Sequence, residues 1–244
     1  MKTQDGYKLN MFRIMKEEEA KYGPMLILHG TGQSSIGWFL DRSNQENSAL
    51  PVAMARAGYD VWLGNARGSK FSLGHETWSD QLDSEYWQFG FSEIGLYDLP
   101  AMIDHIYEQS DHHPVTFIGH SQATTAMFYG LSHLEPQVMA NKLDKVLALA
   151  PCFIVDSRFD MLLTDDIWKY TLVDYWSRHI ALDRTYQFNN GISVQTIKHY
   201  NQNAMTGKFQ EYDTDFGLWP WERGDTPEVP IENITTPITY YLAG

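Results

Sequence analysis

The segment Gly119-His120-Ser121-Gln122-Ala123 places a serine between small residues that stand two positions away on each side. An apolar run at 115–118 predicts a buried strand before it, and residues 124–134 predict a helix after it. A serine on a sharp turn between such a strand and helix exposes its hydroxyl above the sheet edge. The small residues are needed because strand and helix pass close together there. We therefore predict that Ser121 is a catalytic nucleophile, with a helix-capping serine as the alternative.

Two backbone N–H groups near this turn have the character of an oxyanion hole. That of Gln122 lies at the predicted helix start, where N–H groups lack helical partners and the helix dipole favours negative charge. A glycine-rich loop, His29-Gly30-Thr31-Gly32, follows the predicted strand 25–28. In hydrolases with this serine turn, the corresponding loop supplies a second N–H, here that of Thr31. The alternative is a turn that only lets the chain bend, and His29 is interpreted as a packed histidine.

Short apolar runs alternate with longer helical stretches along the chain. The predicted strands are residues 25–28, 60–63, 115–118, 145–150 and 238–242, and the predicted helices are residues 49–57, 99–108 and 124–134. We expect Asp98 to cap the second helix, with Pro100 in the first turn, where its missing N–H costs nothing. Strands separated by helical crossovers imply an α/β fold with a mostly parallel sheet and helices on both faces.

The composition of the 244 residues is that of a globular chain, with 43% hydrophobic and 20% charged residues. The formal net charge of −13 repels phosphate backbones, so we expect no nucleic-acid partner. Cys152 is the single cysteine, which excludes a disulfide within the chain, and its apolar neighbourhood predicts a buried thiol. We predict neither a cofactor nor a metal, because serine acyl transfer needs none. His112 and His113 are interpreted as a solvated turn.

Residues 156–212 interrupt the alternation of strands and helices. The stretch is rich in Trp, Tyr and Asp, with helical patches and no clear strand. We interpret it as a cap, or lid, inserted between two sheet strands, and the alternative is a pair of crossover helices with long loops. This divides the chain into a core at 1–155, a cap at 156–212 and a return to the core at 213–244.

Several runs of residues are long enough to carry a family likeness. They are Thr3-Gln4-Asp5-Gly6-Tyr7-Lys8-Leu9, Leu28-His29-Gly30, Gly58-Tyr59-Asp60-Val61-Trp62-Leu63-Gly64-Asn65-Ala66-Arg67-Gly68, Tyr97-Asp98-Leu99-Pro100-Ala101, Gly119-His120-Ser121-Gln122, Ala148-Leu149-Ala150-Pro151 and Gly207-Lys208-Phe209-Gln210-Glu211-Tyr212-Asp213. With these runs the chain resembles the acid lipases, the group that contains the gastric and lysosomal acid lipases. The likeness spans nearly the whole chain and is poorest between residues 156 and 191.

The resemblance implies an α/β-hydrolase fold with a helical cap, which we expect to be shorter here than in the family, and hydrolysis of neutral lipid esters, triacylglycerols or cholesteryl esters. It implies a Ser–Asp–His triad beneath the cap, with Thr31 and Gln122 as the oxyanion pair, and a transient contact with a lipid interface. A secreted or lysosomal location also follows from the likeness, although Met1 to Asp5 lack the apolar stretch of a signal peptide. The sequon Asn233-Ile234-Thr235 fits a secretory relative or arises by chance. The oligomeric state stays open.

In the family, the strand that corresponds to residues 238–242 leads to the triad aspartate, and the histidine follows later. The given sequence ends at Ala243-Gly244, so we expect the C-terminal part of the fold to be missing and the chain as written to be nearly inactive. Of its nine histidines, His120 is next to Ser121, but its side chain is expected to point away from Oγ. His75 is expected at the correct edge of the sheet, but fold rules do not place it beside Ser121.

Two other functional hypotheses stay open. One is a catalytically incomplete hydrolase-fold protein that binds a lipid or a protein partner. The other keeps the fold and changes the substrate to a thioester, a small ester or a peptide.

Overall fold

The computed structural model describes residues 1–14, 20–39, 49–134, 139, 141–153, 191–214 and 225–242. Its strands are β1 (Tyr7–Lys8), β2 (Met11–Arg13), β3 (Pro24–Leu28), β4 (Asp60–Gly64), β5 (Gly74–His75), β6 (Val115–His120), β7 (Leu143–Leu149) and β8 (Ile238–Tyr241). Six of them form one sheet in the order β2-β4-β3-β6-β7-β8, and β1 pairs with β5 in a separate ribbon. The five predicted strands are all present, and each lies in the larger sheet.

Within the larger sheet, β2 is antiparallel to β4 and the other neighbours are parallel. Leu28 at the end of β3 pairs with Gly119 on β6, and Gly119 pairs with Ala148 on β7. The loops that follow β3, β6 and β7 therefore leave the sheet at the same edge. The mostly parallel α/β sheet that the sequence predicts is confirmed, whereas β2, a strand of three residues, was not predicted.

Helices cover both faces of the sheet. They are α1 (Leu50–Ala57), α2 (Phe91–Glu93), a π-helical segment (Ile94–Asp98), α3 (Leu99–Gln109), α4 (Gln122–Leu134) and α5 (Val194–Thr206), with 3₁₀ turns at Ser35–Phe39, Ser84–Trp87 and Ile231–Asn233. Strand side chains alternate between the faces: Met25 and Ile27 pack toward α1, and Leu26 and Leu28 pack into the larger core that includes residues of α3 and α4.

The helix that was predicted to start after Asp98 begins earlier, at Phe91, so the expectation that Asp98 caps it is wrong. Asp98 has helical backbone angles (φ −69°, ψ −49°) and makes no capping bond. Its carboxylate instead accepts hydrogen bonds from Arg67. Pro100 has no N–H to donate to the carbonyl four residues back. The helix is nevertheless continuous. In the π-helical segment just before Pro100, the N–H of Leu99 bonds the carbonyl of Ile94, five residues back.

Two glycines let the π-helical segment and α4 touch backbone to backbone. A Cβ on Gly95 would overlap the carbonyl oxygen of Ala126, and a Cβ on Gly130 would lie 2.5 Å from the carbonyl oxygen of Gly95. Both obstacles are backbone atoms, which side-chain rotation cannot move away. The contact fixes the distance between α4, the helix that follows Ser121, and its neighbour.

The described part of the predicted cap is 191–212, and residues 154–190 lie outside the described ranges. In the described part, α5 packs against the core, where the His199 ring stacks on Phe91 with 4.0 Å between centroids. The division into core and cap stays a prediction. No helix among the residues that the structure describes is both long and apolar enough to span a membrane.

We expect Gly95→Ala to lower the free energy of unfolding by about 1–3 kcal/mol, because the added methyl group cannot fit against the α4 backbone. Chemical denaturation followed by circular dichroism measures the change. Gly37→Ala is the matched control, since a Cβ there meets nothing within 4 Å. Equal losses in the two variants would show that the close helix contact is not what Gly95 provides.

Candidate active site

Ser121 forms a one-residue turn between β6 and α4. Its φ is +53°, a left-handed conformation that a non-glycine residue adopts only at a cost of about 1–3 kcal/mol. Hydrogen bonds hold it from both sides: its N–H donates to the carbonyl of Leu149 at 3.0 Å, and its carbonyl accepts from the N–H of Thr124 at 2.8 Å. The strained turn that the sequence predicts is therefore present, and its neighbours fix it in place.

The residues that flank Ser121 are small for a steric reason. A Cβ on Gly119 would lie 2.6 Å from the ring of Phe117 and 3.2 Å from the carbonyl carbon of Ala123. His120 lies on the other side of the turn, with its ring 6.1 Å from that of Trp38 and its Nδ1 close to Gly30. Burial lowers the pKa of His120, which favours the neutral ring.

The loop after β3 is held by its own side chains. His29 is buried; its Nδ1 donates to the carbonyl of Gly30 at 2.9 Å, and its Nε2 accepts from the N–H of Ala66 at 3.3 Å. Burial lowers the pKa of His29 to about 4, so the ring is neutral at physiological pH. Gln33 Oε1 accepts from the N–H of Gly30 at 3.1 Å. The interpretation of His29 as a packed histidine agrees with these contacts.

Thr31 and Gln122, the predicted oxyanion pair, line one small cavity. Among the described residues, none accepts a hydrogen bond from the N–H of either. The loop also lies directly against the serine turn, since a Cβ on Gly30 would be 3.1 Å from Cβ of Ser121. The structure thus brings Thr31 and Gln122, the residue that follows Ser121, to the wall of one cavity, although Ser121 itself is not among the residues that line it. Other polar residues of the cavity wall are Gln33, Arg67, Ser69, Ser193 and Thr196.

The hydroxyl of Ser121 contacts the thiol of Cys152. Its Oγ lies 3.6 Å from Sγ of Cys152, and no described imidazole makes a hydrogen bond to it. The thiol is half-buried, not fully buried as its apolar neighbourhood predicted. Sequence reasoning missed this contact, although a signal existed: Cys152 follows β7, the neighbour of β6, so both residues emerge at the same edge.

The family model of the α/β hydrolase fold matches residues 23–221. The chain is 30% identical to human gastric triacylglycerol lipase over 295 residues, which cover 99% of the chain and 73% of that protein. It is 37% identical to the lysosomal acid lipase/cholesteryl ester hydrolase of Macaca fascicularis, with 87% and 64% covered, and 40% identical to Lipase 1 of Drosophila melanogaster, with 61% and 32% covered.

The chain belongs to the acid lipase group of α/β-hydrolases. It spans between about a third and three-quarters of the length of these relatives. The alignment with the human protein extends over 295 residues, more than the 244 of this chain, so that relative carries segments that this acid lipase lacks.

His75, the alternative base, makes its hydrogen bonds away from Ser121. Its Nε2 donates to the carbonyl of Asp5 at 3.0 Å, and its Nδ1 accepts from the N–H groups of Thr77 and Trp78, each at 3.1 Å. Its ring stacks on Trp78 with 4.3 Å between centroids. Both ring nitrogens therefore bond residues next to β1 and β5, and the structure does not bring His75 to Ser121.

A buried ion-pair cluster around Arg67 adjoins the cavity, and sequence reasoning did not assign it. Arg67 lies 2.7 Å from the buried carboxylate of Asp98 and 2.6 Å from that of Asp5, and its guanidinium stacks 3.9 Å above the ring of Tyr7. Burial alone would lower the pKa of Arg67, but the two carboxylates raise it above its ordinary value. The cluster joins the chain start, the loop after β4 and the π-helical segment.

His133 and Glu211 form a second ion pair in this acid lipase. His133 Nε2 donates to Glu211 Oε1 at 2.7 Å, and its Nδ1 donates to the carbonyl of Tyr129 at 2.8 Å. The bond to Glu211 raises the pKa of His133. Burial opposes ionisation of Glu211, but His133 and Tyr129 outweigh it and lower the pKa of that carboxyl. His133 stands twelve positions after Ser121, about 18 Å along α4, too far to act as its base.

We expect Asp98→Asn to lower the free energy of unfolding by about 3–5 kcal/mol, because the buried guanidinium of Arg67 then loses one of its two compensating charges. Denaturant titration measures the change. Lys2→Ala, which removes the exposed ion pair with Glu76, is the control and should change the stability far less, because water screens that pair. A small loss for Asp98→Asn, similar to that of the control, would contradict a central role for the cluster.

The His133–Glu211 pair should make stability depend on pH. The raised pKa of His133 gives a contribution that is complete below pH 6.5 and is lost as pH rises through the folded value. The lowered pKa of Glu211 gives one that is present above pH 4.5 and is lost as pH falls. The difference in unfolding free energy between wild type and His133→Gln should therefore peak between pH 4.5 and 6.5, at up to about 1 kcal/mol. A difference that grows above pH 7.5 would refute the assignment.

Proposed function

We propose that the protein is a serine carboxylic-ester hydrolase that cleaves neutral lipid esters, triacylglycerols or cholesteryl esters, through an acyl-enzyme on Ser121. The observation that carries this proposal is the left-handed turn of Ser121, which lies against the loop of Gly30 and Thr31, while Thr31 and Gln122 line one cavity. Such a turn exposes the hydroxyl, and backbone N–H groups at such positions stabilise negative charge on a substrate oxygen.

The proposed chemistry has two steps. Ser121 Oγ attacks the ester carbonyl carbon, and the resulting oxyanion accepts hydrogen bonds from Thr31 and Gln122; loss of each donor typically costs a factor of about 10²–10³ in rate. The alcohol leaves with a proton, and water then attacks the acyl-enzyme to release the fatty acid. Ser121 must give up its proton to a base. We assign that role to none of the described histidines, since none of them makes a hydrogen bond to Ser121 Oγ.

The substrate class is proposed from the relatives. Those with the stronger coverage are named for triacylglycerol and for cholesteryl esters. A structural feature supports contact with lipid: Ile36 and Phe39, in the turn that follows the oxyanion loop, are each 43% exposed. Apolar side chains beside a catalytic cavity suit transient contact with a lipid interface.

The second candidate is a hydrolase-fold protein that binds a lipid or a protein partner without turnover. One observation favours it: Ser121 Oγ contacts a thiol, and none of the described imidazoles. An unassisted serine is a poor nucleophile at its ordinary pKa. The two candidates differ in whether Ser121 reacts with a substrate-like electrophile.

A lipid-like fluorophosphonate probe separates the two candidates, applied to this chain and to the longest natural product of its gene. In the longer protein we expect covalent label at Ser121, located by peptide mass spectrometry, and complete loss of label in Ser121→Ala; the given chain, without the expected triad aspartate and histidine, should label far more slowly. Ser84→Ala, at an exposed serine, is the control and should label as the wild type does. Absence of label in both proteins, with the fold intact by circular dichroism, would favour the binding protein. Faster turnover of short-chain than of long-chain esters would contradict the lipid substrate.

A further inference from the structure

A hydroxyl on α5 reaches the nucleophile through two intermediate residues. Tyr200 OH lies 3.0 Å from Thr125 Oγ1, and Thr125 Oγ1 lies 2.8 Å from the carbonyl oxygen of Cys152. The Cys152 Sγ lies 3.6 Å from Ser121 Oγ, 3.6 Å from Thr125 Oγ1 and 3.8 Å from Tyr200 OH. These four side chains form a continuous cluster that ends at the serine hydroxyl.

We propose that Tyr200 is a positioning residue: with Thr125, its hydroxyl holds the Cys152 thiol against Ser121 and so sets the orientation of the serine hydroxyl. The inference deepens the proposed function and rests on it, because orientation of Ser121 matters for rate only if Ser121 is the nucleophile.

The directions of the hydrogen bonds follow from counting protons. The carbonyl of Cys152 can only accept, so the single hydroxyl proton of Thr125 is committed to it. Tyr200 must therefore donate its own proton to Thr125 Oγ1. The thiol proton of Cys152 can then point to the oxygen of Tyr200 or Thr125, and a sulfur lone pair remains to accept from the hydroxyl of Ser121. Burial raises the pKa of Tyr200 well above its ordinary value, so Tyr200 keeps the proton that this arrangement needs.

The geometry of α4 explains why Thr125 takes part. It stands four positions after Ser121, one helical turn, on the same side of α4. Its N–H also bonds the carbonyl of Ser121, at 3.4 Å. Thr125 therefore contacts the serine turn through its backbone and the Cys152 loop through its side chain.

Other contacts hold α5 in place without the Tyr200 hydroxyl. His199 Nε2 donates to the carbonyl of Gln210 at 2.7 Å, and Ser193 Oγ donates to the carbonyl of Trp87 at 2.8 Å. The Tyr200 ring packs 5.0 Å from that of Phe91. Removal of the hydroxyl alone should therefore leave the helix where it is and release only the Thr125–Cys152 contacts.

Without the sulfur contact, Ser121 Oγ is free to occupy its other staggered rotamers, and the reactive one becomes less populated. One lost neutral hydrogen bond corresponds to a change of about two- to tenfold in such a population. We expect that change in the rate of reaction at Ser121, with little change in global stability.

The test compares wild type, Tyr200→Phe, Thr125→Val, Cys152→Ala and Cys152→Ser, with Tyr22→Phe as the control at a tyrosine that is 54% exposed. The first readout is the second-order rate constant for fluorophosphonate labelling of Ser121, measured in the longest natural product of the gene. We expect it to fall about two- to tenfold in the Phe, Val and Ala variants of the cluster. Cys152→Ser, which keeps a donor and an acceptor, should regain most of the wild-type rate, and the control should keep all of it. Circular dichroism and urea midpoints confirm folding.

The second readout is the rate of Cys152 alkylation by iodoacetamide, which reports one thiol because the chain has a single cysteine. Ser121→Ala removes the donor to sulfur and should slow alkylation, because a donor stabilises the reactive thiolate. Tyr200→Phe removes an acceptor of the thiol proton and should speed it. If Tyr200 had a purely structural role, Tyr200→Phe would not slow the labelling of Ser121 and at the same time speed the alkylation of Cys152.

The two proposals can fail separately. If Ser121 labels in the wild type and equally fast in Tyr200→Phe and Cys152→Ala, the positioning proposal is wrong and the proposed function stands. If no protein labels, the proposed function fails, and the alkylation rates still decide whether the cluster exists. Equal alkylation rates in wild type, Ser121→Ala and Tyr200→Phe would overturn the inference outright.

Discussion

Three neighbouring strands of the sheet end at the same level, and the arrangement of the whole site depends on that register. Leu28, Gly119 and Ala148 lie opposite one another in the register of β3, β6 and β7. Because parallel strands run in the same direction, the residues that follow them must leave at one edge. The oxyanion loop, the serine turn and the loop with Cys152 are therefore neighbours whatever their separation in sequence. A shift of one residue in either pairing would turn the strand side chains to the opposite faces and move the loops apart.

The register brings the loops together and also helps to hold the strained serine. The N–H of Ser121 bonds the carbonyl of Leu149 at the end of β7, so the same strand pairing also stabilises the left-handed turn. On the other side, the glycine contact between the π-helical segment and α4 fixes the helix that begins at Gln122. Hydrogen bonding to β7 on one side and the packing of α4 on the other thus offset the conformational free energy of the left-handed turn.

Much of this arrangement could be predicted from sequence because it is local. An apolar run, two small residues and a helical stretch around Ser121 describe strand, turn and helix within about twenty residues. Asp98 was misassigned for the opposite reason. Its partner Arg67 stands 31 positions earlier, and a carboxylate before an apolar helical face is equally typical of a cap. Local pattern cannot distinguish a solvent-facing cap from a buried ion pair.

The contact between Cys152 and Ser121 could be inferred only once the order of the strands is known. Neither residue indicates the other, and an apolar neighbourhood is typical of an inert thiol. Only the order of strands in the sheet places Cys152 beside Ser121, and that order is a property of the fold as a whole. The β1–β5 ribbon is similar: nothing local indicates that both ring nitrogens of His75 are used within it.

Charges around the cavity leave its N–H groups as the main source of positive potential. Arg67 lines the cavity, but the carboxylates of Asp5 and Asp98 compensate its charge. His29 also lines it, and with a pKa of about 4 it carries no charge at neutral pH. In the proposed mechanism, stabilisation of an oxyanion would therefore fall to the fixed N–H dipoles of Thr31 and Gln122, which need no rearrangement during a reaction. Such a site does not depend on the protonation of a neighbour, and it should retain its affinity for an oxyanion across the range in which the His133–Glu211 pair titrates.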